Sequence, residues 1–235
     1  MTPPPSPRHD TVILDVDGTL ADSTYHHALA WARAFARADL HPPVWRIHRA
    51  IGMGGDKLVA AVGGEDVERE HGDTLRQAWE EEYDALLPEV GLLPGARELV
   101  LALADRGLTV TLATSGKERF TRHVLGQLDL PEGTLAARAS SEEVEESKPA
   151  PDLLARALEE SGGRSAVVVG DTTYDVEAAT RLGAPCVAVR TGGFGDQELR
   201  DAGAAAVVDG VADLVAADWD RLLTLTPPPR EVRRG

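Results

Sequence analysis

Residues 11–20 read Thr11-Val12-Ile13-Leu14-Asp15-Val16-Asp17-Gly18-Thr19-Leu20. A β-branched and apolar run, without alternation, leads straight into two acids and a glycine. Such a run is the pattern of a strand covered on both faces, as in a parallel sheet. Ligands of parallel α/β sheets bind beyond the carboxyl ends of the strands. Asp15 and Asp17 stand at that end, two residues apart, so both carboxylates can face one crevice while Gly18 turns the chain. Taken alone, the same residues read equally as an acidic turn with Gly18 as its hinge.

Working outward, further strands are expected at LTVTLAT (108–114), AVVVG (166–170), CVAVR (186–190) and, more weakly, AAVVD (205–209). Helices are expected at 96–106, 118–128, 151–161, 175–182, 196–202 and 211–217, with Gly107 and Gly183 placed where a helix stops. Strand–helix alternation of this kind gives an α/β fold, a Rossmann-like parallel sheet with helices on both faces. One stretch breaks the rhythm. From 22 to 93 the pattern is helical, with Leu29, Ala32, Phe35 and Ala36 on one face, and LLPGARELV (92–100) returns the chain to the α/β pattern. The expected organisation is therefore an α/β core over 11–21 and 94–225 with an inserted all-α cap domain over 22–93. The proline-rich ends, 1–10 and 226–235, are expected as disordered tails.

The 235 residues, 43% hydrophobic and 27% charged, are enough for a substantial core and exclude wholesale disorder. No apolar run approaches the roughly 18–20 residues of a membrane span. MTPPPSPRHD at the start lacks the pattern of a secretory signal, so the expected location is the cytoplasm. The one cysteine, Cys186, rules out a disulfide framework or a multi-cysteine zinc site within the chain and reads as a buried small side chain. Acids outnumber bases 39 to 24, and the net charge of −15 argues against nucleic-acid and membrane partners. An anionic ligand would need a metal ion or a local cluster of cations. Arginine supplies nearly all the positive charge, so each of the three lysines, Lys57, Lys117 and Lys148, asks for a specific reason.

Three more motifs follow at intervals. Ala113-Thr114-Ser115-Gly116-Lys117 offers hydroxyls and then backbone N–H groups leading into a helix, an anion cradle. Glu146-Ser147-Lys148-Pro149-Ala150-Pro151-Asp152 stiffens the backbone beside a lysine, with Pro151 suited to a helix start. Val169-Gly170-Asp171-Thr172-Thr173-Tyr174-Asp175 places two more acids at a strand end. In this order the four motifs resemble the haloacid dehalogenase-like (HAD) phosphohydrolase superfamily, from residue 11 to about 190. The insert falls where that family carries a helical cap, as in its phosphoglycolate phosphatase and β-phosphoglucomutase-like subgroup.

The resemblance implies a Mg²⁺-dependent phosphoric monoester hydrolase acting on a small phosphorylated metabolite, of the phosphoglycolate or sugar phosphate type. Asp15 would be the nucleophile that forms an aspartyl-phosphate. Asp17 would protonate the leaving oxygen and then activate water. Thr114, Ser115 and Gly116 would hold phosphoryl oxygens, and Lys148 would pair with both Asp15 and the phosphate. Mg²⁺, which prefers oxygen ligands, would be held by the Asp15 carboxylate, the Asp17 backbone carbonyl and the Asp171 carboxylate, with Asp175 in the shell behind.

Other residues have two readings. Lys57, in Gly52-Met53-Gly54-Gly55-Asp56-Lys57-Leu58, lies either in a flexible helix-start loop or in a cap loop that offers a cation to the substrate. It is not a phosphate-binding P-loop, because no Ser or Thr follows the lysine and no strand leads into it. Lys117 reads best as a solvated lysine, and Arg46, His48 and Arg49 as a solvated helix face, with a specificity patch as the second reading. His26 and His27 read as hinge or cap-surface residues, Trp31, Trp45, Trp79 and Trp219 as packing residues, and Gly192 to Gly195 as a loop. Three alternative activities remain. A sugar-phosphate mutase would want a cap arginine, which GMGGDKL lacks. A phosphonate hydrolase would use Lys57 but have no acid at position 17. A non-catalytic phospho-ligand sensor would leave the full set of chemical groups unused.

Overall fold

The structure, a computed structural model, describes residues 8–140 and 146–228. At its centre is a wholly parallel sheet in the order β3-β2-β1-β4-β5-β6. The strands are β1 (Thr11–Leu14), β2 (Thr109–Thr114), β3 (Ala137–Ser140), β4 (Ala166–Gly170), β5 (Cys186–Val189) and β6 (Ala206–Val208). The non-alternating run of β1 has the cause expected of it, because both faces are covered. Val12 and Leu14 pack with Val167, Val169, Leu99 and Leu103, while Ile13 points to the opposite side with Val168, Leu153, Leu154 and Val176. All four residues of β1 are fully buried. Each such side chain contributes roughly 1.5–3 kcal/mol relative to exposure.

The covering helices of the core are α5 (Ala96–Asp105), α6 (Glu118–Leu128), α7 (Asp152–Glu160), α8 (Thr173–Leu182), α9 (Asp196–Asp201), α10 (Val211–Val215) and α11 (Trp219–Leu222). Two elements were absent from the sequence reading, β3 and α11. β3 reads Ala-Arg-Ala-Ser and pairs with β2 alone, so it sits at the sheet edge and lacks an apolar signature. Among the described residues, no helix is long and apolar enough to cross a membrane.

Between β1 and α5 lie four helices and no strand: α1 (Thr24–Arg37), α2 (Val44–Ala50), α3 (Gly55–Gly63) and α4 (Glu65–Leu86). Their interior is aromatic. Trp31 of α1 stacks on Trp79 of α4 with ring centroids 5.2 Å apart, and Phe35, 1% exposed, packs beside Trp31. The chain leaves the core and returns to it at one point. Asp22 donates its N–H to Gly91 O at 2.9 Å, and Leu93 to Leu20 O at 2.8 Å. Phe35→Ala is expected to destabilise the protein by roughly 3–5 kcal/mol, read as a lower urea midpoint. An unchanged midpoint would mean that Phe35 does not support this aromatic cluster.

Part of the expected N-terminal tail is held by the core. His9 donates its N–H to Leu223 O at 2.9 Å, and its Nε2 pairs with Leu225 O at 3.0 Å. Asp10 donates its N–H to Ser165 O at 3.2 Å. His9 and Asp10 therefore pack against the core, since their backbone groups find partners there. The outer parts of both expected tails, 1–7 and 229–235, lie outside the described residues.

Candidate active site

The chain builds the sheet outward from β1 in one direction (β2, β3) and then in the other (β4, β5, β6). The crevice of such a sheet opens where this order reverses, beyond the ends of β1 and β4. Asp15 and Asp171 occupy that place. Asp15 donates its N–H to Val169 O at 2.9 Å, which locks the register of the two strand ends. Lys148 reaches in from the loop before α7. Its Nζ donates to Asp15 Oδ1 and to Ala113 O at 3.4 Å, and pairs with Asp175 Oδ1 at 2.7 Å.

The Thr172-Thr173-Tyr174-Asp175 sequence explains the position of Asp175. Thr172 caps α8 and accepts the Asp175 N–H at 3.3 Å, while Asp175 Oδ2 accepts the Thr172 N–H at 3.1 Å and its hydroxyl at 2.6 Å. This reciprocal cap fixes the carboxylate and aims its other oxygen at Lys148. Asp15, Lys148, Asp171 and Asp175 are all at most 6% exposed.

Burial pushes the Asp15 carboxyl up to about 7. Lys148 opposes that effect, and Asp175 and Asp17 add to it. Burial also raises Asp171 well above the usual carboxylate range, with Asp175 and then Asp15 adding to the rise. For Lys148, burial works against the charge, but Asp15 and Asp175 outweigh it and hold the ammonium above its ordinary value. One lysine thus faces three carboxylates.

A cation fits this arrangement. Oxygens of Asp15, Asp171 and Asp175 lie within 4.8 Å of one another, and the buried Asp171 Oδ2 has no hydrogen-bond partner. The donors are all hard oxygens, which suits Mg²⁺ rather than a thiolate- or imidazole-seeking metal. Two glycines make room for the Asp171 carboxylate. Gly18 turns with φ +77°, and a Cβ at either Gly18 or Gly192 would collide with that carboxylate. Gly192, read from sequence only as loop, therefore belongs to the wall of the site.

Asp17 faces the other way. Its Oδ1 accepts the Ser23 hydroxyl at 2.7 Å and His27 Nε2–H at 3.0 Å, and its Oδ2 accepts the Thr114 hydroxyl at 3.4 Å. Burial works to raise the Asp17 carboxyl, but His27 and Ser23 outweigh it and hold the group below the usual range. The imidazole of His27 is itself fixed by Tyr83, stacked at 3.9 Å between centroids. Thr114 also accepts the Gly116 N–H at 2.9 Å. Its hydroxyl is thus spent on Asp17 and on shaping the loop, one step behind the phosphoryl contact expected for it. Ser115 and Gly116 line the cavity together with Asp15, Asp17 and Lys148.

Several readings change. Lys57, expected as a substrate contact, does not line the cavity; its Nζ donates to Ser147 O at 2.7 Å and lies 3.7 Å from Glu146. The cause is local, because Asp56 accepts the Ser147 hydroxyl at 2.6 Å and pins the start of α3 to the loop before Lys148. Lys117 pairs with Glu80 of α4 rather than standing in solvent. His48 and Arg49 are not a solvated face either. His48 Nε2 meets Gly192 O at 2.9 Å and Arg49 pairs with Glu198, so α2 docks on the core. Trp45 is 65% exposed and packs little, whereas Trp31 and Trp79 line the cavity. His27, read as a hinge or cap-surface residue, is buried against Asp17.

The family model of the haloacid dehalogenase-like hydrolases matches residues 12–189. A phosphoglycolate phosphatase of Rhodospirillum rubrum is 32% identical over 219 residues, spanning 88% of this chain and 89% of its own length. Among solved structures, a hydrolase from Pseudomonas syringae is 33% identical with a TM-score of 0.82, covering 87% of this chain and 95% of its own. CbbY from Rhodobacter sphaeroides, solved in complex with phosphate, is 24% identical with a TM-score of 0.72 over 88% of this chain and 96% of its own, and shares the fold. At this level of similarity the chain belongs to the haloacid dehalogenase-like hydrolases, and it is an enzyme of their phosphatase kind.

Proposed function

We propose that the protein is a Mg²⁺-dependent phosphatase that hydrolyses a small phosphate monoester through a phosphorylated Asp15, with the helices of residues 22–93 acting as a cap over the leaving group. The observation that carries this reading is the position of the Asp15 carboxylate. It lies at the floor of a cavity, paired with Lys148 and beside the unpartnered oxygen of Asp171.

In the first step an Asp15 oxygen bonds to phosphorus while the bond from phosphorus to the alcohol oxygen breaks, and Asp17 gives that oxygen a proton. In the second, Asp17 takes a proton from water. The water oxygen bonds to phosphorus, the bond to Asp15 breaks, and inorganic phosphate leaves. The His27 and Ser23 bonds stabilise the ionised Asp17 that the second step needs. The first step needs the same carboxyl protonated, so those bonds must loosen when substrate enters. Lys148 and the N–H groups after Thr114 face charge that develops on the phosphoryl group. A divalent cation bound by Asp15, Asp171 and the Asp17 carbonyl would neutralise further phosphoryl charge and make this acidic site receptive to an anion. Asp175 would hold Lys148 in place.

The names of the relatives bring phosphoglycolate to this site as one candidate substrate, and the resemblance carried by the sequence motifs brings sugar phosphates as another. The test of the reaction class is p-nitrophenyl phosphate turnover with and without Mg²⁺, beside a thermal melt. Turnover is expected only with the metal. Mg²⁺ at a hundredfold excess over its Kd should raise the Tm by about 5–10 °C, and Asp171→Asn should remove most of that rise. Turnover unaffected by chelation would overturn the metal-dependent mechanism.

A further inference from the structure

We infer that the alcohol half of the substrate is uncharged, so that the site serves phosphate monoesters of small neutral alcohols in preference to those bearing a carboxylate or a second phosphate. This rests on the phosphatase reading above and selects a substrate class within it. The lining of the cavity, about 60 Å³, divides by chemistry. Asp15, Asp17 and Lys148 are its charged part, where a phosphoryl group would bind, and Trp31, Met53, Leu58 and Trp79 are its largely apolar part, left for the alcohol half. The two indoles stack with an interplanar angle of 13°, and the buried Trp79 Nε1–H has no hydrogen-bond partner. The volume is on the scale of a few water molecules, which suits an alcohol of few carbons.

Lys148 and His27 are the basic residues in the described cavity lining, and neither is left over to meet a second anion. Lys148 is committed to Asp15 and Asp175, and His27 to Asp17. Lys57 is turned to the Ser147 carbonyl and Lys117 to Glu80. Arg76, behind Gly55, is bound by Glu68 and Asp73, each at 2.9 Å. The start of α3 touches the cavity at Gly55, and a helix N-terminus attracts anions. Here, however, the Asp56 carboxylate folds back over Gly54 so closely that a Cβ on Gly54 would collide with it. That end of the helix already carries its own negative charge. Residues 141–145, outside the described part, read Ser-Glu-Glu-Val-Glu and contain no base. A carboxylate placed against the indoles would find no uncommitted cation in the described cavity lining, only the neutral Trp79 Nε1–H, which is buried without a partner, and the expected penalty against a neutral group is about tenfold in kcat/KM.

The test uses the full chain in saturating Mg²⁺ and two matched pairs of esters. One is 2-hydroxyethyl phosphate against phosphoglycolate, and the other is glycerol 3-phosphate against 3-phosphoglycerate. Within each pair a neutral carbinol replaces a carboxylate. The neutral ester is expected to have a kcat/KM at least about tenfold higher in both pairs. Equal or faster turnover of the carboxylated ester in either pair, with p-nitrophenyl phosphate still hydrolysed, overturns the inference and leaves the phosphatase reading standing. Failure to hydrolyse any ester, p-nitrophenyl phosphate included, overturns both. Met53→Lys, which puts a cation into the wall, should shift the neutral-to-carboxylated ratio toward the acid by about tenfold. An unchanged ratio in the folded variant would show that the missing cation does not set the preference.

Discussion

Asp15→Asn is expected to abolish turnover, lowering kcat by at least about 10³–10⁴-fold, as loss of a covalent nucleophile does elsewhere. The amide keeps the shape of the carboxylate but cannot bond to phosphorus and leave again as an anion. The fold should survive the change. Lys148 keeps Asp175 at 2.7 Å, and the substitution removes one of three crowded carboxylates, the one that burial already pushes up to about 7. In metal-free buffer the unfolding free energy should therefore stay within about 1 kcal/mol of the parent, while stabilisation by Mg²⁺ shrinks. Initial rates with p-nitrophenyl phosphate and a rapid-quench search for phosphoenzyme check the first part, and paired denaturation curves check the second. More than a tenth of the parental rate would remove Asp15 from the role of nucleophile.

Lys148→Met should be damaging in both function and stability. Removing one partner of a buried ion pair leaves an uncompensated charge and costs about 3–5 kcal/mol. Here the stranded groups are Asp15 and Asp175, with Asp171 beside them. Phosphoryl transfer should slow by about 10²–10³-fold, the usual effect of losing one preorganised donor. The pH dependence has a definite sign. Lys148 is the main influence opposing burial at Asp15, so its loss raises the folded-state pKa of Asp15 further above the unfolded value near 3.8. A carboxyl with a raised folded pKa favours the folded state most below its unfolded pKa and loses that contribution as pH rises toward the folded one. The stability deficit of the variant should therefore be largest at neutral pH and should narrow toward pH 4, measured in EDTA so that no metal substitutes for the lysine. A deficit that grows on acidification would show that Asp15 is not the group left exposed to the change.

Much of this was legible in the sequence because the information is local. The four buried residues of β1, the acids that follow it and the alternation of later strands and helices all reflect burial on two faces of one sheet. β3 escaped notice because an edge strand pairing with β2 alone needs little apolar surface, and Arg138 within it suits an exposed margin. The site residues divide in the same way. Asp15, Lys148 and Asp171 are marked by their motifs, but the hold on Asp17 is made across the fold. His27 lies ten residues along the chain from Asp17, while the ring it stacks on, Tyr83, comes from α4. The stripe from Ser23, which precedes α1, through His27, Trp31 and Phe35 on the helix was the signal available, since every fourth residue shares one face. Lys57 misled for the opposite reason. Its glycine-rich surroundings suggested a loop reaching toward substrate, but the Asp56–Ser147 contact fixes the start of α3 and turns the lysine outward.

The crossing point between core and helices has a consequence for how this molecule can be altered. Leu20 and Leu93 are joined by a backbone hydrogen bond, and Asp22 and Gly91 by another, so the ends of the intervening segment meet side by side. A segment whose ends already touch can be exchanged for another of different length without rerouting either half of the sheet. The carboxylates proposed to act on the ester bond lie outside it, while Ser23 and His27, which hold Asp17, lie within it together with Trp31, Met53, Leu58 and Trp79. Substrate choice would thereby be portable: transplanting residues 22–91 from a relative would carry that relative's selectivity, provided the transplant keeps a serine and a histidine at positions 23 and 27.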